Sequence, residues 1–388
     1  MDSKLSFFPN QNELSGAVSD RRDWGIDPLR SLVVIESIAP GEKACQEALC
    51  NFLKQEGLNA KLVPLDEGSL RVTDGFIDAG LSLEDRPNLV VTMGKENSTG
   101  KSLILNSHID TVSWQEERDK WSLDFLSGAI KEGPTYGRGS VDSKGQIVSA
   151  LMAALALRDL DYEPAGKLFI ESVLCEEPSG DDTLALCSQG WLANAAVVLE
   201  PTSTMVCFGH RGIVGLRYWF EGKSGHAAIS DVHENVIVQA GKLSIRLNEA
   251  LEGWQSPSDA IYGLPSINVG WIQGGQDIFS TPFGCELDCG VRYAPGTPKD
   301  IQKYISRNLE VPDSIQASIF SHYDAAEVPP SSPLPALLIK SAQKVYSEAR
   351  LASFASCCDA CHFINRYAVP AVIFGPGTYH VLMESMNS

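Results

Sequence analysis

Long apolar runs are missing from this chain of 388 residues: no stretch reaches the roughly 20 residues that a membrane-spanning helix needs. The opening residues, Met1-Asp2-Ser3-Lys4-Leu5-Ser6-Phe7-Phe8-Pro9-Asn10, hold no apolar segment of signal-peptide length, so export is not expected and a cytoplasmic location is. Basic charge is also scarce, with 31 Lys and Arg against 49 Asp and Glu and a formal net charge of −18. That balance argues against nucleic acid or an anionic membrane as partner, since both call for basic patches. No internal repeat and no low-complexity tract is present. In a chain not destined for export, ten cysteines read as reduced thiols rather than a disulfide framework. Cys358-Asp359-Ala360-Cys361-His362 has the spacing of a c-type haem attachment, but that attachment requires an exported protein. Cys285 and Cys289 fall on one face of a predicted strand, too far apart for an easy bridge, and read as buried thiols.

What remains is the composition of a globular α/β protein, 44% hydrophobic, at a length for which two domains are the default. Helical periodicity covers residues 41–56 and stops at Gly57, and it returns over 144–160 with Ile147, Leu151, Ala154 and Leu155 on one face. Short, nearly continuous apolar runs at 103–106, 167–174, 195–199 and 370–374 read as strands of a parallel or mixed sheet covered on both faces. Between them the pattern changes. From about 208 to 322 a strand at 215–221, a helix at 235–249, strands at 266–272 and 285–293, a helix at 299–309 and a strand at 314–321 follow the ferredoxin-like β-α-β-β-α-β order. The chain is therefore read as a doubly wound α/β catalytic domain in two parts, 1–207 and 323–388, with an inserted α+β domain over 208–322. Linkers are expected near 203–210 and across the Pro- and Ser-rich 324–335.

Five segments end a predicted strand or Gly-rich turn with residues able to bind a metal. They are Ser107-His108-Ile109-Asp110, Gly137-Arg138-Gly139-Ser140-Val141-Asp142, Cys175-Glu176-Glu177, Leu199-Glu200-Pro201-Thr202 and Gly375-Pro376-Gly377-Thr378-Tyr379-His380. Each motif taken alone is common, and a Glu-Glu pair is most often a solvated face. Ligands of open α/β sheets gather at the carboxyl ends of the strands, however, and four of the five segments converge there. A carboxylate pair ending an apolar strand is also costly to bury without a cation. Two imidazoles, three carboxylates and a spare glutamate suffice for two divalent cations and a general base, which points to metal-assisted hydrolysis. His108 and Glu200 can serve one ion and Glu177 and His380 the other, with Asp142 between. Glu176 is then placed as general base and Asp110 as the group that orients His108.

These segments, together with Tyr136 to Gly145, resemble the dinuclear zinc hydrolases that include aminoacylase-1, acetylornithine deacetylase, succinyl-diaminopimelate desuccinylase and glutamate carboxypeptidase; the likeness runs from about residue 25. The resemblance implies two Zn²⁺ per subunit, with Co²⁺ or Mn²⁺ able to substitute, held by His108, Asp142, Glu177, Glu200 and His380. Asp142 would bridge, and a cis peptide often follows it in the family. Glu176 would be the general base. The resemblance also makes Gly222-Lys223-Ser224-Gly225-His226 the loop of a lid, whose His226 reaches the partner subunit's site in a homodimer formed through that lid. Arg292 would clamp a substrate carboxylate, and Gly375 and Gly377 would contact substrate. Ser143 stands where Met or Asp is common, Cys175 where Asp is common, and Phe279 where asparagine is usual, a change that suits a less polar acyl or side-chain group. The expected activity is hydrolysis of an N-acyl amino acid, a small molecule with a free carboxylate, by a deacylase of the acetylornithine deacetylase kind. A dipeptidase or carboxypeptidase is the alternative within the family, and a non-catalytic protein retaining the fold is the alternative outside it.

Overall fold

The structure, a computed structural model, describes residues 8–95, 97–113, 121–229, 235–251, 254, 256–297 and 301–378. The apolar runs read from the sequence assemble side by side in a nine-stranded mixed sheet. Its centre consists of Leu168–Val173, Leu103–His108, Ala195–Val198 and Ala371–Ile373, four adjacent strands that all run parallel. Parallel strands buried on both faces are expected to be largely apolar. Ala195–Val198 and Ala371–Ile373 are wholly so, while Leu168–Val173 and Leu103–His108 also bury Glu171, Ser172, Asn106, Ser107 and His108 near their carboxyl ends. Val197 and Val372 point into a core formed with Leu49 and with Ile147, Leu151 and Leu155 of the helix Lys144–Asp159. Their neighbours Ala196, Val198, Ala371 and Ile373 point to the opposite core, with Phe354 and Phe363. Burial of both faces locks the register, because a one-residue slip would exchange the two sets.

Residues 212–323 form a second, four-stranded sheet, entirely antiparallel, in the order Ser266–Gly274, Gly284–Tyr293, Gly212–Glu221, Gln316–Tyr323. Alternate residues of Gly284–Tyr293 are buried, including Cys285, Leu287, Cys289 and Val291. They pack with the helices Val236–Arg246 and Ile301–Asn308 into a separate core. The order of elements is the ferredoxin-like one, and both cysteines are free buried thiols. Cys358 and Cys361 are free as well, and His362 is buried beside them.

The expected linkers need correction. Val206–His210 is a fully buried strand of the large sheet, paired with Ala371–Ile373, Leu351–Phe354 and Ala326–Glu327. The apolar run Val206-Cys207-Phe208 is better buried than exposed, so the crossing into the small sheet falls at Arg211, just beyond the expected boundary at 208. On the return, Ala326–Glu327 pairs with Gly209 and His210, and the helix Pro333–Ala342 starts inside the expected second linker, with proline in its first turn. No helix among the described residues is long and apolar enough to cross a membrane.

One buried acid generates a pH dependence. Glu171, in the central strand Leu168–Val173, accepts a 3.0 Å hydrogen bond from Asn106 Nδ2. Burial pushes its carboxyl up to about 8; the Asn106 contact opposes this and the Asp359 charge adds to it. Between the ordinary value of 4.5 and about 8 the folded chain therefore keeps a proton that the unfolded chain releases. Stability should fall as pH rises through that window, by up to about 1.4 kcal/mol per pH unit from this group. Glu171→Gln removes this titrating proton. Thermal melts at pH 5 and pH 8 should show a smaller drop for the variant than for the parent chain.

Candidate active site

His108 is the last residue of its strand, and 2% of its surface is exposed. Its Nδ1 lies 3.0 Å from the backbone carbonyl of Asp110, which can only accept, so Nδ1 carries a proton. Nε2 of the neutral ring then aims a lone pair at Asp142 Oδ1, 3.1 Å away. Two lone pairs at that distance need a proton or a cation between them. Burial disfavours a charge on the ring, but Asp110, Asp142 and Glu176 together hold its pKa well above the usual value. Donor atoms of His108, Asp142 and Glu177 all lie within 4.8 Å of one another, a spacing a divalent cation fits.

The other acids arrive from neighbouring strand ends. Glu176 and Glu177 follow Leu168–Val173, and Glu200 follows Ala195–Val198. Burial lifts Glu176 well above the carboxylate range; His108 opposes the shift, and the Glu200, Asp359 and Glu177 charges add to it. Glu200 is raised likewise, by burial and by Asp142, with His108 opposing. Glu177 opens onto a cavity yet is confined on its other sides, and that confinement pushes it up to about 7, with His108 pulling it down. Carboxylates crowded in this way repel one another, and a cation relieves the crowding.

The turn before Glu176 has a specific shape. Cys175 takes the left-handed conformation (φ +58°), uncommon outside glycine. That turn presents the amides of Glu176 and Glu177 to the two carboxylate oxygens of Asp110, at 3.2 and 3.0 Å. Asp110 Oδ1 also lies 3.4 Å from His108 Nδ1, so Asp110 adjoins the imidazole and braces the glutamate pair as well. The Asp142–Ser143 peptide is cis. Ser143 joins three segments: its hydroxyl meets Ser107 Oγ and donates to the carbonyl of Leu199 at 3.3 Å.

A cavity of about 220 Å³ opens on these groups, lined by Asp142, Glu176, Glu177, Tyr323, Arg292 and Cys357 among others. Arg292 comes from the small sheet, and its buried Nη1 has no hydrogen-bond partner. Gly375 and Gly377 do not line this cavity; their backbone groups bind the segment after Glu200. The Gly375 amide donates to Thr202 Oγ1 (3.1 Å), its carbonyl accepts from Thr204 N (2.9 Å), and the Gly377 carbonyl accepts from Ser203 N (2.6 Å). A methyl on Gly375 would lie 2.6 Å from the Glu200 backbone oxygen as well as 2.3 Å from Gln146 Oε1, so only glycine fits there. His226 is exposed, on a two-residue strand paired with Ser280–Thr281, and its Nδ1 accepts from Ala228 N at 3.2 Å. His380 lies outside the described residues.

Tyr323 was not legible in the sequence. It ends the last strand of the small sheet, and its hydroxyl donates to the backbone carbonyl of Glu176, 147 residues away. Gly180 makes room for it, since a methyl there would lie 2.6 Å from the ring. No local pattern could announce a contact of that separation. Arg138, stacked over Trp121 at 5.1 Å, also acts on the site from a distance by drawing the Glu177 pKa down.

Acidic and imidazole donors clustered at the carboxyl ends of a parallel sheet, beside a solvent cavity, define the class of metal-dependent hydrolases. Comparison with known proteins narrows this. The model of Peptidase family M20/M25/M40 matches residues 104–387, and the chain belongs to that family. It is a metal-dependent hydrolase acting on C–N bonds, in a family whose metal centre is typically dinuclear. Over 329 residues, 76% of each chain, it is 27% identical to N-formyl-4-amino-5-aminomethyl-2-methylpyrimidine deformylase of Bacillus subtilis (strain 168). It is 27% identical over 292 residues to a probable carboxypeptidase of Paracoccidioides brasiliensis (strain Pb03), spanning 72% of this chain and 62% of that relative, under two thirds of its length. The solved structure of the dipeptidase Dug1p from Saccharomyces cerevisiae superposes with a TM-score of 0.75 at 13% identity, covering 94% of this chain and 91% of that one, a likeness of fold.

Because Tyr323 holds the Glu176 carbonyl, Tyr323→Phe should loosen the turn that carries the glutamates. The expected result is a kcat about tenfold lower, the worth of one hydrogen bond near 1.4 kcal/mol, with KM and metal content unchanged. Steady-state kinetics together with metal analysis test it; an unchanged kcat would remove Tyr323 from a positioning role.

Proposed function

We propose that this protein hydrolyses the amide bond of an N-acyl amino acid, releasing an acid and a free amino acid. The observation that carries the reading is Arg292. An arginine with an unpartnered buried Nη1 shares one cavity with Asp142, Glu176 and Glu177, so a substrate carboxylate on the guanidinium fork would set its amide before the acids. A relative named a deformylase supports deacylation. The peptidase reading, in which a carboxypeptidase or dipeptidase cuts a peptide bond beside the same carboxylate, is favoured by the relatives named probable carboxypeptidases.

His108, Asp142, Glu177 and Glu200, with His380, would hold the metal, for which two zinc ions are proposed, with cobalt or manganese able to replace them. Bound there, the ions would polarise the scissile carbonyl and make water more acidic. Glu176 takes the proton of the attacking water and delivers it to the leaving nitrogen. Burial holds its pKa well above the ordinary carboxylate value, which makes it the stronger base for taking that proton. Asp110 fixes the tautomer of His108 so that Nε2 faces the ligand position.

The partner subunit's His226 is proposed to steady the oxyanion. His226 is exposed and is not among the residues lining the cavity of its own chain, as a group acting on a second subunit would be. Dimerisation through the small sheet is supported by its edge strand Ser266–Gly274, where Trp271 and Ile272 are each 49% exposed, and by Ile245 of the neighbouring helix at 75%. An edge with open backbone groups and apolar side chains suits a second copy.

Three outcomes test this reading. Glu176→Ala should lower kcat at least about a thousandfold while the metal content stays that of the parent chain, as expected for loss of a general base. Arg292→Lys should raise KM about tenfold or more for substrates with a carboxylate and leave kcat nearly unchanged, because lysine lacks the fork. His226→Ala and Glu176→Ala chains, each inactive alone, should regain activity after subunit exchange, since a mixed dimer has one intact site. No recovery after exchange proven by mass spectrometry would count against a His226 that acts from the partner subunit.

A further inference from the structure

Beyond Arg292 lies a second cavity of about 510 Å³, which shares Arg292 and Ser356 with the catalytic one. It begins at Pro201, directly after Glu200, and its walls include Met205, Phe354 and Ala355. Its remaining lining consists of serine and threonine hydroxyls and the Cys207 thiol; among the lining residues Arg292 is the one charged group. These walls come from rigid elements. Cys207 and Phe354 lie on paired strands of the large sheet, and the Thr202 hydroxyl and the Ser203 amide are pinned to the Gly375–Gly377 turn. The cavity is therefore preformed and adjoins the groups that would hold the metal.

Resting on the proposed function, we infer that this cavity receives the side chain of the amino acid whose carboxylate Arg292 holds, and that it selects uncharged, apolar side chains of leucine to phenylalanine size. The chemistry of the walls decides this. An apolar side chain gains from leaving water against Pro201, Met205 and Phe354. An ornithine or lysine ammonium would be desolvated with no carboxylate in the lining to receive it, and would face a guanidinium of its own sign. An aspartate or glutamate side chain would find only Arg292, already engaged by the main carboxylate. An acyl-ornithine, one substrate type that family resemblance suggests, is thus disfavoured by the residues of this chain.

The test compares kcat/KM of the metal-loaded protein for the N-acetyl derivatives of leucine, phenylalanine, ornithine and aspartate. Leucine and phenylalanine should lead by about tenfold or more, the discrimination a pocket gains from one or two buried methylenes. Met205→Glu places a carboxylate in the wall at a half-buried position, and should shift the ratio of ornithine to leucine upward by about tenfold or more with metal content unchanged. Equal rates across the panel, or a lead for ornithine or aspartate in the parent chain, would overturn the inference while leaving the hydrolase reading intact. If no member is cleaved, the proposed reaction is wrong, and the inference is then judged by calorimetric binding of free leucine and ornithine to the metal-loaded Glu176→Ala chain. There, leucine binding no tighter than ornithine overturns it.

Discussion

The carboxylate of Asp110, with none of its surface exposed, is the constraint on which the rest of the site depends. Burying an anion is costly unless it is hydrogen-bonded and faces positive charge. Asp110 meets that requirement by accepting the amides of Glu176 and Glu177 and lying beside the His108 imidazole. The same contacts tie the ends of two adjacent parallel strands and set the distance between the imidazole and the glutamates. A left-handed Cys175 and a phenol from the small sheet hold that turn from its other sides. The acids it gathers repel one another, and burial together with that repulsion raises their pKa values.

The sheet explains why the acids converge at all. Strands lie about 4.8 Å apart, so residues just past the ends of neighbouring parallel strands are delivered within a few ångströms of one another. The carboxyl ends of Leu168–Val173, Leu103–His108 and Ala195–Val198 supply Glu176 and Glu177, His108, and Glu200 from three consecutive positions in the sheet. Ala371–Ile373 adds the Gly-Pro-Gly turn, whose carbonyls and amide lock onto the segment after Glu200. The small sheet completes the cavity from above with Arg292 and Tyr323, so that both units contribute to one site.

Much of this was legible in the linear chain. The runs at 103–106, 167–174, 195–199 and 370–374 became strands because a continuous apolar segment bounded by polar turns has few other stable outcomes in a buried sheet. The alternation in 285–293 was equally readable, since period-two burial is imposed by the pleat. The readings failed where local composition was ambiguous. Val206–His210 resembled a connection because Gly209 and His210 close the run, yet the large sheet had room for one more strand. The close packing of Gly375 against Gln146 and the bonds of Gly375 and Gly377 to the segment after Glu200 were likewise not announced by any local pattern.

The sequence by itself determined the reaction class, the order of the elements and the donor types, because these follow from side-chain chemistry and from periodicities that act within a few residues. Only the tertiary structure decided which carboxylates meet, that Arg292 opens on the same cavity as Glu176, that Tyr323 supports the turn, and that an apolar cavity lies beyond the guanidinium. Those facts depend on contacts between residues tens to hundreds of positions apart. Such contacts are set by how strands pair and how one unit packs on another, and no local pattern encodes them.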